Sequence, residues 1–305
     1  PFTFVATAHA LHWNNLRPVF VDIEPEYYTL DPAQVEKAIT PRTTAILAVH
    51  VYGYPCRLKE LAEIARRHDL FLLYDAAHAF GVNVDGQSIG HYGDLSMFSF
   101  HATKLFHSIE GGMLMFSDAA RKQTFDYLKN FGFAAETEVV MPGTNAKMNE
   151  FQAQMGVLVL GHMGGIIARR RQIDLLYRTH LKTVPGIRCP APLPANVDYN
   201  HAYFPVEIDA KEYGLSRDGL YLALKEFNVF TRRYFYPLVT DFACYRNLVN
   251  DDPLTVARGV AERILTLPIY DSLALEDVEQ ICGILRQLHR SARSASNPVP
   301  AVRPS

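Results

Sequence analysis

The chain has 305 residues, of which 49% are hydrophobic and 20% charged, with a formal net charge of −2. That is enough for one large domain, or a large and a small one, around a sizeable core. The near-neutral balance gives no electrostatic footprint for nucleic acid or an anionic membrane, and no apolar run reads as long enough to span a bilayer. The four cysteines, Cys56, Cys189, Cys244 and Cys282, show neither CxxC nor metal-ligand spacing. They read as reduced thiols in a cytoplasmic protein.

The chain opens at Pro1-Phe2-Thr3-Phe4, without an initiator Met or a signal-peptide pattern, and these residues already read as structured. The natural protein is therefore expected to begin further upstream. Short apolar runs rich in β-branched and aromatic residues follow at 19–23, 45–51, 70–74, 96–100 and 113–116. A helical pattern at 58–68 places Leu58, Leu61, Ile64 and Ala65 on one face. Strands alternating with helices predict an α/β fold with a mostly parallel sheet covered by helices.

From 149 to 184 the pattern is helical, and the Pro-rich stretch 185–194 reads as a domain junction. Beyond it, 203–208 and 229–236 are strand-like, and 218–227 and 275–288 helical. The expected organisation is a large domain over 1–190, a small α+β domain over 191–290, and a disordered Ser/Pro/Ala-rich tail over 291–305.

Two strand ends carry chemistry. Leu72-Leu73-Tyr74-Asp75 ends an apolar strand in a carboxylate, where open α/β sheets bind ligands. Such an Asp can equally well cap the next turn. Ser96 to Phe100 runs into His101-Ala102-Thr103-Lys104, followed by Glu110-Gly111-Gly112. A lysine beside a buried strand end either reaches solvent or serves as a Schiff-base lysine with a lowered pKa. A lysine and a carboxylate together suit pyridoxal phosphate (PLP), whose pyridine nitrogen needs a carboxylate partner to make the ring an electron sink.

With these residues the sequence resembles the DegT/DnrJ/EryC1/StrS aminotransferases. The likeness covers nearly the whole chain except the tail. It is carried, in order, by Thr3-Phe4-Val5-Ala6-Thr7, Pro18-Val19-Phe20-Val21-Asp22-Ile23, Asp75-Ala76-Ala77-His78-Ala79-Phe80-Gly81, Ser99 to Lys104 with Glu110-Gly111-Gly112, Gly143-Thr144-Asn145-Ala146-Lys147-Met148-Asn149-Glu150, and Leu267-Pro268-Ile269-Tyr270.

The resemblance implies the PLP-dependent transferase fold type I and assigns roles. Lys104 would be the Schiff-base lysine and proton carrier, and Asp75 the partner of the pyridine nitrogen. His78, where many relatives have Gln, would hydrogen-bond the cofactor's phenolic oxygen. Ser99 would donate to the phosphate and Phe4 would stack on the ring. Asn145 would reach the phosphate of a neighbouring subunit's cofactor, which implies a homodimer with shared active sites. Read on their own, Phe4 is equally a core residue, Ser99 a strand-end hydroxyl and Asn145 a turn residue. His101 is a candidate to support the lysine. Relatives also carry an N-terminal segment with a Gly-Thr turn that cradles the phosphate, and nothing here corresponds to it.

The implied reaction moves an amino group from glutamate to the keto group of a nucleotide-linked sugar. Ser99-Phe100-His101-Ala102-Thr103-Lys104 resembles members acting at C4 of 4-keto-6-deoxy sugars, and Phe230 to Leu238 resembles members that make dTDP-4-amino-4,6-dideoxyglucose. Arg232, Arg233 and Tyr234 are the candidates for contacts with anionic substrate groups, the two arginines otherwise being a solvated pair. The alternatives are a C3-acting relative or a non-catalytic PLP-fold sensor. A lipopolysaccharide O-antigen, another surface glycan and an antibiotic sugar are all open as destinations of the product.

Overall fold

The computed structural model describes residues 1–248 and 252–296. They form two compact units. One comprises residues 40–165 and 195–199, the other 1–39, 166–194 and 200 onward. The Pro-rich stretch 185–194 lies inside the second of these, so the compact units do not divide at the expected boundary of 190.

The unit built on 40–165 holds a four-stranded sheet in the order Ala45–Val49, Phe71–Asp75, Leu95–Ser99, Gly112–Met115. The first three strands are parallel and the last is antiparallel. The parallel crossover between the first two strands runs through the helix Leu58–Arg67, which buries Leu58, Leu61, Ile64 and Ala65 as its periodicity predicts. Register aligns Val49 with Asp75 and Asp75 with Met97. The carboxyl ends of the three parallel strands therefore lie together, and Asp75 occupies the middle one.

The other unit packs a three-stranded antiparallel sheet, in the order Ile264–Leu267, Phe204–Ile208, Ile187–Arg188, against helices. Its core joins Ile173, Tyr177 and Leu181 to Phe204, Val206, Leu265, Leu220 and Leu285. The first 39 residues belong here for physical reasons. Phe2 meets Phe235 edge-on at 5.6 Å, and the Tyr28 hydroxyl donates to Glu207 at 2.9 Å. The Asp22 carboxylate accepts from the backbone N–H groups of Val256 and Ala257.

Several expectations need correction. Residues 19–23 form no strand; Ile23 makes an isolated bridge to Leu30, while the Asp22 carboxylate takes the Ile23 N–H at 2.9 Å. Residues 229–236 make one bridge, Arg232 to Thr266, before a turn from Tyr236 N–H to the Arg233 carbonyl ends the run. The helix Leu275–Ser296 continues through residues expected to be a disordered tail; positions 297–305 lie outside the described residues. The helix Glu150–Leu181 does contain a stretch long and apolar enough to cross a membrane by length and composition alone. Scattered Gly and His residues break up its apolar run in the sequence. Its N-terminal half exposes Phe151, Val157, Leu158 and Leu160.

Candidate active site

The site residues of the larger sheet begin at Asp75, the last residue of its strand. The Asp75 carbonyl accepts from the His50 N–H at 3.0 Å, and the Met97 carbonyl accepts from the Ala76 N–H at 2.8 Å, so both neighbouring strand ends hold it. Its side chain is buried, with Oδ1 accepting from the Ala77 N–H at 3.0 Å. The Asp75 carboxylate therefore caps the turn that follows its strand.

Ser99 ends the adjacent parallel strand opposite Gly112, and its Oγ accepts from the His101 N–H at 3.4 Å. A tight turn closed by the Lys104 N–H on the His101 carbonyl, 2.9 Å, delivers Lys104. His101 supports that turn: Nδ1 meets the Thr103 hydroxyl at 2.8 Å, and Nε2 lies 3.5 Å from Glu110. Behind it, the buried Ser108 hydroxyl donates to the Glu110 carbonyl at 2.8 Å. Gly111, at φ 156°, is required there, because a Cβ would sit 2.5 Å from the Ser108 hydroxyl.

Asp75 acts on Lys104, and Lys104 acts on His78. Burial pulls the half-buried Lys104 ammonium below its usual pKa, and the Asp75 carboxylate partly offsets this. Burial, reinforced by the Lys104 charge, holds the His78 imidazole well below its ordinary value, so the ring is neutral. His78 is buried, and its Nδ1 accepts from the Tyr52 backbone N–H at 3.1 Å.

Other predicted positions stand apart from this trio. Asn145 is exposed, its backbone bridged to Asn130. Phe4, Arg232, Arg233 and Tyr234 belong to the second compact unit. Phe4 is 55% exposed, so it is not a core residue of that unit. Arg233 donates to Asp218 at 2.9 Å and lies over the Tyr221 and Tyr236 rings. Arg232 donates to the Tyr234 hydroxyl at 2.9 Å. Sequence reasoning missed His50, Tyr52 and Ser108. Tyr52 contributes a backbone group, for which side-chain identity gives no signal beyond the turn implied by Gly53.

A family model, the DegT/DnrJ/EryC1/StrS aminotransferase family, matches residues 1–286. The chain belongs to this family. It is 43% identical over 288 residues to a dTDP-4-amino-4,6-dideoxy-D-glucose transaminase of Shigella dysenteriae, covering 94% of this chain and 78% of that one. A transaminase of the same name from Escherichia coli is 44% identical over 290 residues, covering 93% and 77%. Among solved structures, DesI in the presence of its TDP-sugar product matches with a TM-score of 0.90 and 40% identity, over 97% of this chain and 75% of that one.

Aminotransferases of this family depend on PLP. The donor set fits that cofactor. A buried carboxylate suits a protonated pyridine nitrogen, a depressed lysine amine suits an aldehyde carbon, and a strand-end hydroxyl suits a phosphate.

Proposed function

We propose that this aminotransferase transfers an amino group from glutamate to the C4 keto group of a dTDP-linked 4-keto-6-deoxy sugar. The reading rests on the Asp75 carboxylate at one parallel strand end acting on Lys104, which follows the end of the neighbouring parallel strand. The transaminases to which the chain is more than 40% identical supply the position and the nucleotide.

When bound, PLP supplies an electron sink for charge that develops at the carbon bearing the nitrogen. Lys104, whose pKa burial lowers, would be the nucleophile and the acid–base that moves the proton at that carbon. Asp75 would keep the pyridine nitrogen protonated, His78 would donate to the phenolic oxygen and Ser99 to the phosphate, and Phe4 is the residue that the resemblance assigns to the ring face. Arg232 is the better of the two arginines for an anionic substrate group, because Arg233 is committed to Asp218. Tyr234, bonded to Arg232, would orient it.

The protein would act in the cytoplasm as a homodimer, with the exposed apolar face around Phe151 and Leu158 covered by a second copy and Asn145 directed to the phosphate of that copy's cofactor. No disulfide forms among the described residues, which include all four cysteines.

The test is to add PLP, reduce with borohydride and map the modified peptide, then supply glutamate with dTDP-linked keto sugars. Trapping on Lys104 and amination at C4 are expected. Trapping elsewhere, or none, would overturn the cofactor assignment; amination at C3 alone would overturn the substrate.

A further inference from the structure

Arg232 is exposed, and its guanidinium is oriented by a neutral group, donating to the Tyr234 hydroxyl at 2.9 Å and lying 5.5 Å from the centre of that ring. A long side chain loses rotamer freedom when it takes a ligand, and one that is fixed beforehand avoids much of that cost. The backbone of Arg232 is fixed as well, by Thr266. The strand Ile264–Leu267 lies at the edge of its three-stranded sheet, and Arg232 bridges it there. The Arg232 N–H donates to the Thr266 carbonyl at 3.1 Å. The Arg232 carbonyl accepts twice, from the Thr266 N–H at 2.8 Å and from the Thr266 hydroxyl at 3.0 Å. Thr266 is buried, where such bonds are stronger than in water.

A buried cation holds the other end of the same segment. Arg217 is 2% exposed, and burying a guanidinium is costly unless it is paired and hydrogen-bonded. Its Nη1 donates to the carbonyls of Ala261 at 2.8 Å and Ile264 at 3.1 Å, where the helix Thr255–Arg263 ends and the strand bearing Thr266 begins. A cation suits the negative end of that helix dipole. Its Nε donates to Asp218 Oδ1 at 2.8 Å, and the same oxygen accepts from Arg233 at 2.9 Å. The guanidinium lies 4.4 Å from the centre of the Tyr236 ring, within cation–π reach. One buried arginine thus fastens the strand that bridges Arg232 and, through Asp218 and Tyr236, the residues that follow Arg232.

We infer that Thr266 and Arg217 are positioning residues that hold Arg232 ready for the anionic diphosphate of the nucleotide sugar. Thr266 acts through the Arg232 backbone, and Arg217 through Asp218, Arg233 and Tyr236. This deepens the proposed function and rests on its assignment of Arg232 to the substrate. It also gives adjacent arginines separate tasks: Arg233 is bound into the support, and Arg232 is the residue supported.

The test is calorimetric titration of the full chain with dTDP, alongside steady-state kinetics with the nucleotide sugar. Thr266→Val keeps the shape of the side chain and removes its hydroxyl donor, and Thr266→Ser restores the donor. Thr266→Val should weaken dTDP binding about three- to tenfold, the contribution of one such hydrogen bond. KM for the sugar should rise with kcat nearly unchanged, and Thr266→Ser should recover most of the loss. Tyr236→Leu removes the ring from Arg217 while leaving that cation its carboxylate and carbonyl partners, and should act in the same direction. The reaction with glutamate alone, followed by cofactor absorbance, should keep its wild-type rate in both variants. Wild-type dTDP affinity in both, or equal slowing of the glutamate reaction, would overturn the inference. Arg232→Ala separates the two readings. If it weakens dTDP binding and Thr266→Val does not, the positioning role alone fails; if it leaves dTDP binding unchanged, the assignment of Arg232 to the substrate fails, and the inference with it.

Discussion

The imidazole of His50 lies flat against the phenol ring of Tyr74, with centroids 4.6 Å apart and planes at 16°. Both are buried, and burial holds the His50 pKa down to about 3. A histidine whose folded pKa lies below its unfolded value near 6.5 contributes stability above pH 6.5. That stability is lost as pH falls, because the unfolded chain takes up the proton first. At about 1.4 kcal/mol per pKa unit, His50 alone can withdraw up to about 5 kcal/mol between pH 6.5 and 3, and His78 acts in the same direction. Urea denaturation at stepped pH should therefore show stability falling from pH 6.5 downward. A flat profile to pH 4.5 would contradict the buried neutral rings.

Lys104 and Asp75 make a prediction of opposite sign. The carboxylate raises the lysine pKa against burial, so Asp75→Asn should lower it further. The pH midpoint for labelling Lys104 with an amine-reactive reagent should move down in this variant. Lys104→Ala should reduce turnover by about 10²–10⁴-fold or more, the range of a positioned acid–base group, with the circular dichroism spectrum retained.

Asp22 ties residues far apart in sequence. Its two oxygens accept from the Val256 and Ala257 N–H groups, each at 2.8 Å, at the start of the helix Thr255–Arg263. A carboxylate there satisfies orphan donors and opposes the positive end of the helix dipole. Asp22→Ala should cost about 2–3 kcal/mol, read as a lower urea midpoint.

The strands of the parallel sheet were legible because they are short continuous apolar runs bounded by turns, although burial alternates along them, with one face buried and the other half-buried or exposed. Asp75 and Lys104 were legible because charged side chains at the ends of such runs contradict the local pattern. The run at 19–23 has the same apolar composition, yet Asp22 spends its hydrogen-bonding capacity on a helix more than two hundred residues away, a partner that no local window contains. The helix Thr255–Arg263 was missed for a related reason: its cap is supplied from that distance rather than by a neighbouring residue. Tyr52 was invisible because its contribution is a backbone N–H.

Arg232 and Arg233 should separate in experiment although they are adjacent. Arg233 pairs with Asp218 at a partly exposed site, where such pairs contribute about 0–1 kcal/mol. Arg233→Ala should therefore change stability by less than about 1 kcal/mol. Arg232→Ala should raise KM for the nucleotide sugar with kcat nearly unchanged, the mark of lost uniform binding. An unchanged KM would remove Arg232 from the substrate site.

The exposed apolar face offers the last prediction. Phe151 is 87% exposed, and Leu158, seven positions on and so near the same face of the helix, is 54% exposed. Phe133, Val139 and Val140 in the same compact unit are exposed as well. Exposed apolar side chains suit an association surface, and in the proposed homodimer with shared active sites a second copy would cover the face around Phe151 and Leu158. Phe151→Glu and Leu158→Lys should each shift the protein from dimer to monomer in sedimentation velocity, without detergent. If Asn145 serves the neighbouring copy's cofactor, the same variants should weaken PLP binding although neither residue belongs to the trio of Asp75, His78 and Lys104. A wild-type chain that sediments as a monomer at micromolar concentration would sink the shared-site reading, and one that requires detergent to stay in solution would turn the helix Glu150–Leu181 toward lipid instead.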